Sequence, residues 1–145
     1  MLLLPVLRAH VALRTEAPPE IWEADSTEAD FLPLLREMLA RAGGTPVDSL
    51  TLGIANVVVG PDLDPDGATS VPVGEYVAVT LLGPGDWSSD WRWLPTSPDT
   101  TPLAIPPRCL RSAQVRFAYG RHLGTSSSLT VFLARRNLPS LPGPA

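Results

Sequence analysis

A single amphipathic stripe between residues 27 and 42 limits the folds that are open to this chain. Apolar side chains recur there at helical spacing: Phe31, Leu34, Leu35, Met38, Leu39 and Ala42. Side chains three and four positions apart lie on one side of a helix, so this segment predicts one main helix with one buried face. With Asp30 as N-cap, Pro33 falls in the first turn, where its missing N–H costs nothing. Gly43 then supplies the stop.

The other apolar segments indicate strands. In residues 2–14, alternation from Leu7 to Leu13 puts every second side chain on one face, as in a half-buried strand. Further strands are predicted at four places: residues 49–59, 75–82, 111–119 and 128–135. Alternation in the third of these places one set of side chains on the same face: Ala113, Val115, Phe117 and Tyr119.

The order of elements, β-α-β-β-β-β, predicts an α+β fold. We expect a mostly antiparallel sheet of about five strands with the main helix packed on one face. The first strand is expected to pair in parallel with another strand or to lie at an edge, and the last four strands to form a meander. A chain of 145 residues has the length of one domain. We assign residues 1–137 to a single α+β domain and the Pro-rich residues 138–145 to a flexible tail.

Composition narrows the function classes. The net charge of −4 disfavours nucleic acid as a partner, because phosphate binding needs a basic face. All eleven basic residues are arginine, which indicates a GC-rich genome and excludes lysine-based mechanisms. The single cysteine, Cys109, excludes an internal disulfide and favours a reducing, cytoplasmic location. No apolar run approaches the roughly 20 residues of a membrane span, so no membrane partner is expected.

The segment 60–70 contains oxygen side chains at the spacing of a calcium loop: Asp62, Asp64, Asp66 and Ser70. Alternate carboxylates let the chain curl around one ion, and Gly67 allows the sharp turn. The closing ligand is missing, because Val73 stands where a bidentate Glu is needed, and Pro65 stiffens the chain between two ligands. We therefore favour a solvated acidic turn. A calcium-stabilised module is the first alternative, and another cation or a basic partner is the second. No cofactor besides calcium is predicted.

A long Pro-rich loop over residues 83–108 carries the main candidate for a binding surface. It holds three tryptophans within seven residues, together with acidic and basic side chains. The residues that we predict to bind a partner are Trp87, Asp90, Trp91, Arg92 and Trp93. Tryptophan and arginine anchor many protein interfaces, and long irregular loops in compact domains are often functional. The alternatives are that the indoles pack over the core or line a small-molecule pocket.

Arginines gather in the last third of the chain, among them Arg111, Arg116, Arg121, Arg135 and Arg136. If the last two strands pair, Arg116 and Arg121 are expected to join Arg135 or Arg136 in a basic patch. The alternative is that these arginines are solvated charges that protect a strand edge from pairing with other chains.

Together these features favour a non-enzymatic protein-interaction module. It would be an accessory, immunity or antitoxin-like protein that presents the Trp-rich loop to another protein, and a homo-oligomer stays open. No convergent set of side chains specifies a reaction, so catalysis is the less favoured option and no catalytic residue is assigned. The alternative is a small-molecule-binding protein or small enzyme with a pocket between sheet and helix. Its candidate groups are Asp86, Asp90, Arg92 and His122.

Calcium binding by the acidic segment is tested by a thermal melt. We expect the same unfolding midpoint in calcium and in EDTA, because a loop without its closing Glu lacks the bidentate ligand that holds the ion. For comparison, a ligand at 100 times its Kd adds about 2.7 kcal/mol to the free energy of unfolding. A rise of the midpoint in calcium, absent in magnesium, would establish the calcium-stabilised module instead.

Overall fold

The computed structural model describes residues 1–10, 13–60, 72–95 and 105–136. The predicted tail at residues 138–145 lies outside the described residues. So do the predicted calcium ligands Asp62, Asp64, Asp66 and Ser70. The tail and the calcium site therefore stay predictions.

Six strands form one sheet: Arg14–Glu16 (β1), Thr51–Val59 (β2), Gly74–Pro84 (β3), Trp91–Trp93 (β4), Val115–His122 (β5) and Ser126–Ala134 (β6). Their spatial order is β1-β2-β3-β6-β5-β4. The pairing of β1 with β2 is parallel, and the other pairings are antiparallel. The helices of the described residues are Leu3–His10 (α1), Glu28–Arg41 (α2), a short 3₁₀ turn at Val47–Ser49 and Pro107–Ser112 (α3). The predicted α+β class with a mostly antiparallel sheet is confirmed, whereas the strand number and element order differ from the prediction.

The N-cap of the main helix, α2, lies three residues before the predicted cap. Thr27 is the N-cap, and its Oγ1 accepts the N–H of Asp30 over 3.1 Å. Pro33 therefore lies in the second turn, where it deprives the carbonyl of Ala29 of an N–H donor. Both Ala29 and Pro33 are exposed, so water can bind that carbonyl. The buried side chains of α2 belong to the predicted stripe: Phe31, Leu34, Leu35 and Met38.

The predicted strand over residues 2–14 is wrong for most of its length, because α1 occupies it. Leu3 and Leu7 are both fully buried, and a spacing of four places side chains together in a helix and in a strand alike. A strand that buries both leucines would also bury Pro5 and Ala9, which are exposed. The strand that follows α1, β1, pairs in parallel with β2 at one edge of the sheet.

The predicted strand over residues 111–119 starts later, because α3 occupies its first residues. Pro107 opens α3, where a missing N–H costs nothing. Beyond the helix, a register shift between Val115 and Phe117 marks a bulge in β5. The bulge turns Phe117 and Tyr119 to the face opposite Val115, so the prediction that these side chains share one face is wrong.

The predicted meander of the last four strands is also wrong. β3 pairs with β6, and β5 lies beyond β6. Between β3 and β5 the chain forms β4 and α3, and this long connection lets β5 lie away from its predecessor in sequence. As a result β4, which the sequence placed in an irregular loop, becomes the edge strand beside β5.

All three helices pack on one face of the sheet. The core cluster contains Leu7 of α1, Phe31 of α2 and Leu110 of α3, each fully buried. From the long central strands it takes alternate side chains: Leu52, Ile54, Val77, Val79, Leu81, Leu129, Val131 and Leu133. Full burial of one such side chain contributes about 1.5–3 kcal/mol. The other face, which we call the open face, carries no helix among the described residues. In the described part of the chain, every helix is too short or too polar to cross a bilayer.

Glu23 joins the start of α1 to the end of β6. Its Oε1 accepts from the ammonium group of Met1 over 3.2 Å and from Nη1 of Arg136 over 2.6 Å. The backbone N–H of Arg136 also donates to the carbonyl of Glu23 over 2.7 Å. The hydrogen bond from Arg136, followed by that from the ammonium group, lowers the pKa of Glu23 from its ordinary value of 4.5.

We expect Glu23→Gln to reduce the loss of free energy of unfolding that occurs as the pH becomes acidic. Because the folded-state pKa of Glu23 is lowered, its stabilising effect is complete above 4.5 and is lost as the pH falls through the folded pKa. In urea titrations between about pH 6 and about pH 3, the wild type should lose more free energy of unfolding than Glu23→Gln. The control Glu37→Gln removes an exposed pair with Arg41 and should follow the wild type. Equal acid losses in wild type and Glu23→Gln would contradict this role.

Candidate functional site

The segment 85–93, which we call the Trp loop, is fastened to the hairpin of β5 and β6. Ser127 Oγ donates to the carbonyl of Gly85 over 2.8 Å. The same oxygen accepts the N–H groups of Trp87 and Ser88, each over 3.2 Å. Ser127 is fully buried, and its hydrogen bond with the N–H of Ser88 is shielded from water. One hydroxyl therefore sets the path of the loop between β3 and β4.

Two carboxylates of the Trp loop hold the end of β5. Asp90 Oδ1 accepts the N–H of His122 over 3.0 Å, and Asp86 Oδ1 lies 3.3 Å from His122 Nδ1. Three of the four groups considered for a small enzyme therefore meet at His122, whereas Arg92 points to the open face. Within the described residues, no hydroxyl or thiol is hydrogen-bonded to His122.

The three indoles of the Trp loop are packed against the protein. Trp91 and Trp93 are only 7% and 2% exposed and belong to the core cluster. Trp87 is half-buried, and its Nε1 donates to the carbonyl of Pro84 over 3.1 Å. This placement matches the alternative in which the indoles pack over the core. Their binding to a partner stays a prediction.

Gly120 makes room for Trp91. The two residues are opposite each other in the pairing of β4 with β5. A Cβ at residue 120 would lie 2.3 Å from Nε1 of Trp91 and 2.6 Å from Oγ of Ser88, so a larger residue would displace the indole. The buried Nε1 atoms of Trp91 and Trp93 meet no acceptor among the described residues. Each such unpaired donor costs about 1–3 kcal/mol.

The strand register brings a different set of side chains onto the open face. Arg92 lies between two buried tryptophans in β4, and alternation therefore points it to the open face. It is aligned with Tyr119 of β5, which is aligned with Thr130 of β6. Phe117 and Phe132 form the next aligned pair on this face. The bulge in β5 thus places aromatic side chains next to Arg92.

Four rings form an aromatic cluster on the open face: Tyr76, Phe117, Tyr119 and Phe132. Their neighbouring centroids are 5.6–6.3 Å apart, a distance at which aromatic rings attract one another. Burial raises the pKa of Tyr76, and the charge of Arg116 opposes part of that rise. The hydroxyl of Tyr76 donates to the carbonyl of Pro72 over 2.6 Å. These contacts make the centre of the open face apolar and closely packed.

At the β4 end of the open face lies a recess of about 450 Å³, which we call the arginine recess. It is lined by Phe117, Tyr119, Gly120 and Arg121 from β5 and by Asp90, Trp91 and Arg92 from the β4 side. The guanidinium carbon of Arg121 lies 5.7 Å from the centroid of the Tyr119 ring, within cation–π range. No carboxylate of the described residues forms an ion pair with Arg92 or Arg121.

Three of the residues predicted to bind a partner therefore meet at this recess: Asp90, Trp91 and Arg92. Trp87 and Trp93 do not line it. Tyr119 and Phe117 were missed as site residues. The alternating aromatic pattern was visible in the sequence, but the bulge that turns these rings to the open face has no local sequence signal.

Arg121 does not join the predicted basic patch of the last two strands. Arg135 pairs with Glu75, and Arg136 pairs with Glu23, each over 2.6 Å. Both pairs lie at the end of β6, whereas Arg121 is aligned with the start of that strand. Antiparallel pairing therefore separates Arg121 from the two arginines that it was expected to join.

No family model matches the sequence, and no curated protein is detectably similar to it. The candidate site accordingly rests on the geometry of the chain itself. In the described ranges, no group of three His, Cys, Asp or Glu side chains is placed to hold a metal ion.

We expect Ser127→Ala to lower the free energy of unfolding by about 1–3 kcal/mol, because the buried N–H of Ser88 loses its acceptor. Urea unfolding followed by tryptophan fluorescence measures the loss, and the native emission should shift as the Trp loop loosens. Ser126→Ala, in the adjacent half-buried position, is the control and should change stability by less than about 0.5 kcal/mol. A Ser127→Ala protein with wild-type stability and emission would show that this hydroxyl does not fasten the loop.

Proposed function

We propose that this protein is a non-enzymatic protein-interaction module that binds its partner through the open face beside the Trp loop. One observation carries the proposal: an aromatic cluster and two arginines that pair with no described carboxylate share one sheet face that no described helix covers. The size and the net charge of −4 suit an accessory, immunity or antitoxin-like protein. The single cysteine and the arginine-only basic composition suit the cytoplasm of a GC-rich organism.

The side chains of this surface are those that favour protein interfaces. Aromatic residues and arginine are enriched in interface cores, and they supply most binding hot spots. Tyr119 and Phe132 are half-buried, so each keeps part of its ring in contact with water. A partner that covers these rings removes that apolar area from water, at about 25 cal/mol for each Å².

The Trp loop has a supporting role in this proposal. Its buried indoles position the surface, while Asp90 and Arg92 are the members of the predicted set that are exposed for contact. Because Ser127 and the core already hold the loop, binding requires little further ordering of the backbone. A preformed surface keeps more of its interaction free energy as affinity.

A small-molecule-binding protein is the second candidate function. The arginine recess, at about 450 Å³, lies within the roughly 300–1,000 Å³ range of ligand pockets. Two arginines beside a tyrosine ring suit a small carboxylic acid. We prefer the protein-binding function because the aromatic cluster continues past the recess to Phe132 on β6, whose ring is half-buried. A ligand confined to the recess would leave that part of the cluster uncovered.

Photo-crosslinking in the host cell tests the proposed function. Leu82 is exposed on the open face, in the same cross-strand row as Arg121 but outside the recess. With p-benzoylphenylalanine in place of Leu82, we expect an adduct with one other protein. That protein, once purified, should form a complex on size-exclusion chromatography.

The control carries the same group in place of Ala40, an exposed residue of α2 on the opposite side of the sheet. It should give no such adduct. Equal adducts from both positions, or none from either, would contradict a specific interface on the open face. An adduct with a second copy of this chain would replace the proposed partner with a homo-oligomer.

A further inference from the structure

The arginine recess is a local positive site on an acidic protein. Its lining holds the guanidinium groups of Arg92 and Arg121 and the carboxylate of Asp90. Two positive charges against one negative charge leave one net positive charge, whereas the whole chain carries −4. One oxygen of Asp90 is already engaged, because Oδ1 accepts the N–H of His122 over 3.0 Å.

Both arginines are neighbours of one residue, Tyr119. Arg92 lies directly across from Tyr119 in the pairing of β4 with β5. Arg121 lies over the same ring, with its guanidinium carbon 5.7 Å from the centroid. The ring steadies Arg121 without using its N–H donors, which stay available for an anion. Guanidinium forks bind carboxylates through paired, charge-assisted hydrogen bonds.

The geometry points to a carboxylate side chain, presented by an acidic segment of the partner protein, as the occupant of the arginine recess. This inference rests on the proposed protein-binding function and specifies the chemistry of its partner. One net positive charge matches one carboxylate better than a phosphate, which carries about −1.5 to −2 at neutral pH.

The recess favours a protein segment over a single-stranded nucleic acid. Bases bind such surfaces by stacking on exposed ring faces, but Arg121 already occupies one face of Tyr119. The other two rings in the recess, Phe117 and Trp91, are buried.

Titration of the ¹⁵N-labelled protein with hexaglutamate tests the inference. We expect saturable shifts of the Arg92 and Arg121 Nε–H signals and of the Tyr119 amide, with weaker binding at high salt. Arg92→Gln and Arg121→Gln should each weaken binding about tenfold or more, since each removes a charged hydrogen-bond donor. Arg36→Gln, at an exposed arginine of α2, is the matched control and should bind as the wild type does. Both test positions are exposed, and the spread of amide signals checks that the variants are folded.

Three results would overturn the inference: no shift at the recess, shifts that survive Arg121→Gln, or equal or tighter binding of oligothymidylate or inorganic phosphate at the same signals. The crosslinking experiment separates this inference from the proposed function. An adduct at residue 82 without hexaglutamate binding removes the carboxylate occupant and keeps the interaction function. Hexaglutamate binding without any protein adduct removes the partner segment as the occupant, and the proposed function with it.

Discussion

The bulge in β5 determines which side chains line the two faces at this end of the sheet. Before the bulge, Val115 points into the core; after it, Ala118 and Gly120 point to that side. Side chains alternate along a strand, so one extra residue reverses every later position. Without the bulge, Phe117 and Tyr119 would point towards the helices, and the open face would carry small residues in their place. The bulge therefore produces both the aromatic cluster and the space that Gly120 leaves for Trp91.

Burial of the tryptophans in β4 places Arg92 on the open face. Covering one Trp ring removes about 150–250 Å² from water, which is worth about 4–6 kcal/mol. The unpaired indole N–H costs about 1–3 kcal/mol, so burial prevails. Because Trp91 and Trp93 both face the core, the residue between them must face the other way. The same alternation therefore buries the two tryptophans and exposes Arg92.

The proposed interaction combines a preformed apolar surface, the aromatic cluster, with a small positive site, the arginine recess. On a protein of net charge −4, long-range forces do not draw an acidic partner to the surface. The arginine recess acts at short range, where a carboxylate exchanges water for two guanidinium groups. Electrostatics of this kind contribute more to specificity and orientation than to raw affinity.

The amino-acid sequence by itself determined the elements with an unambiguous apolar pattern, together with part of the candidate site. α2, β2, β3 and β6 lie close to where their periodicity predicts, because helical and strand periods are local properties of the backbone. Asp90 and Arg92 were also found from sequence, since the tryptophans around them mark the segment. The pattern in α1 was ambiguous, because Leu3 and Leu7 satisfy both periods.

Only the tertiary structure decided the strand order, the bulge in β5 and the contacts of the Trp loop. It buried Trp91 and Trp93, and it brought Tyr119 and Arg121 from a distant part of the chain to the side of Arg92. Register and bulges depend on which strand lies alongside and on which side chains fill the core. Register and bulges are therefore determined by the packing of segments that are distant in sequence. A local sequence pattern does not contain that information.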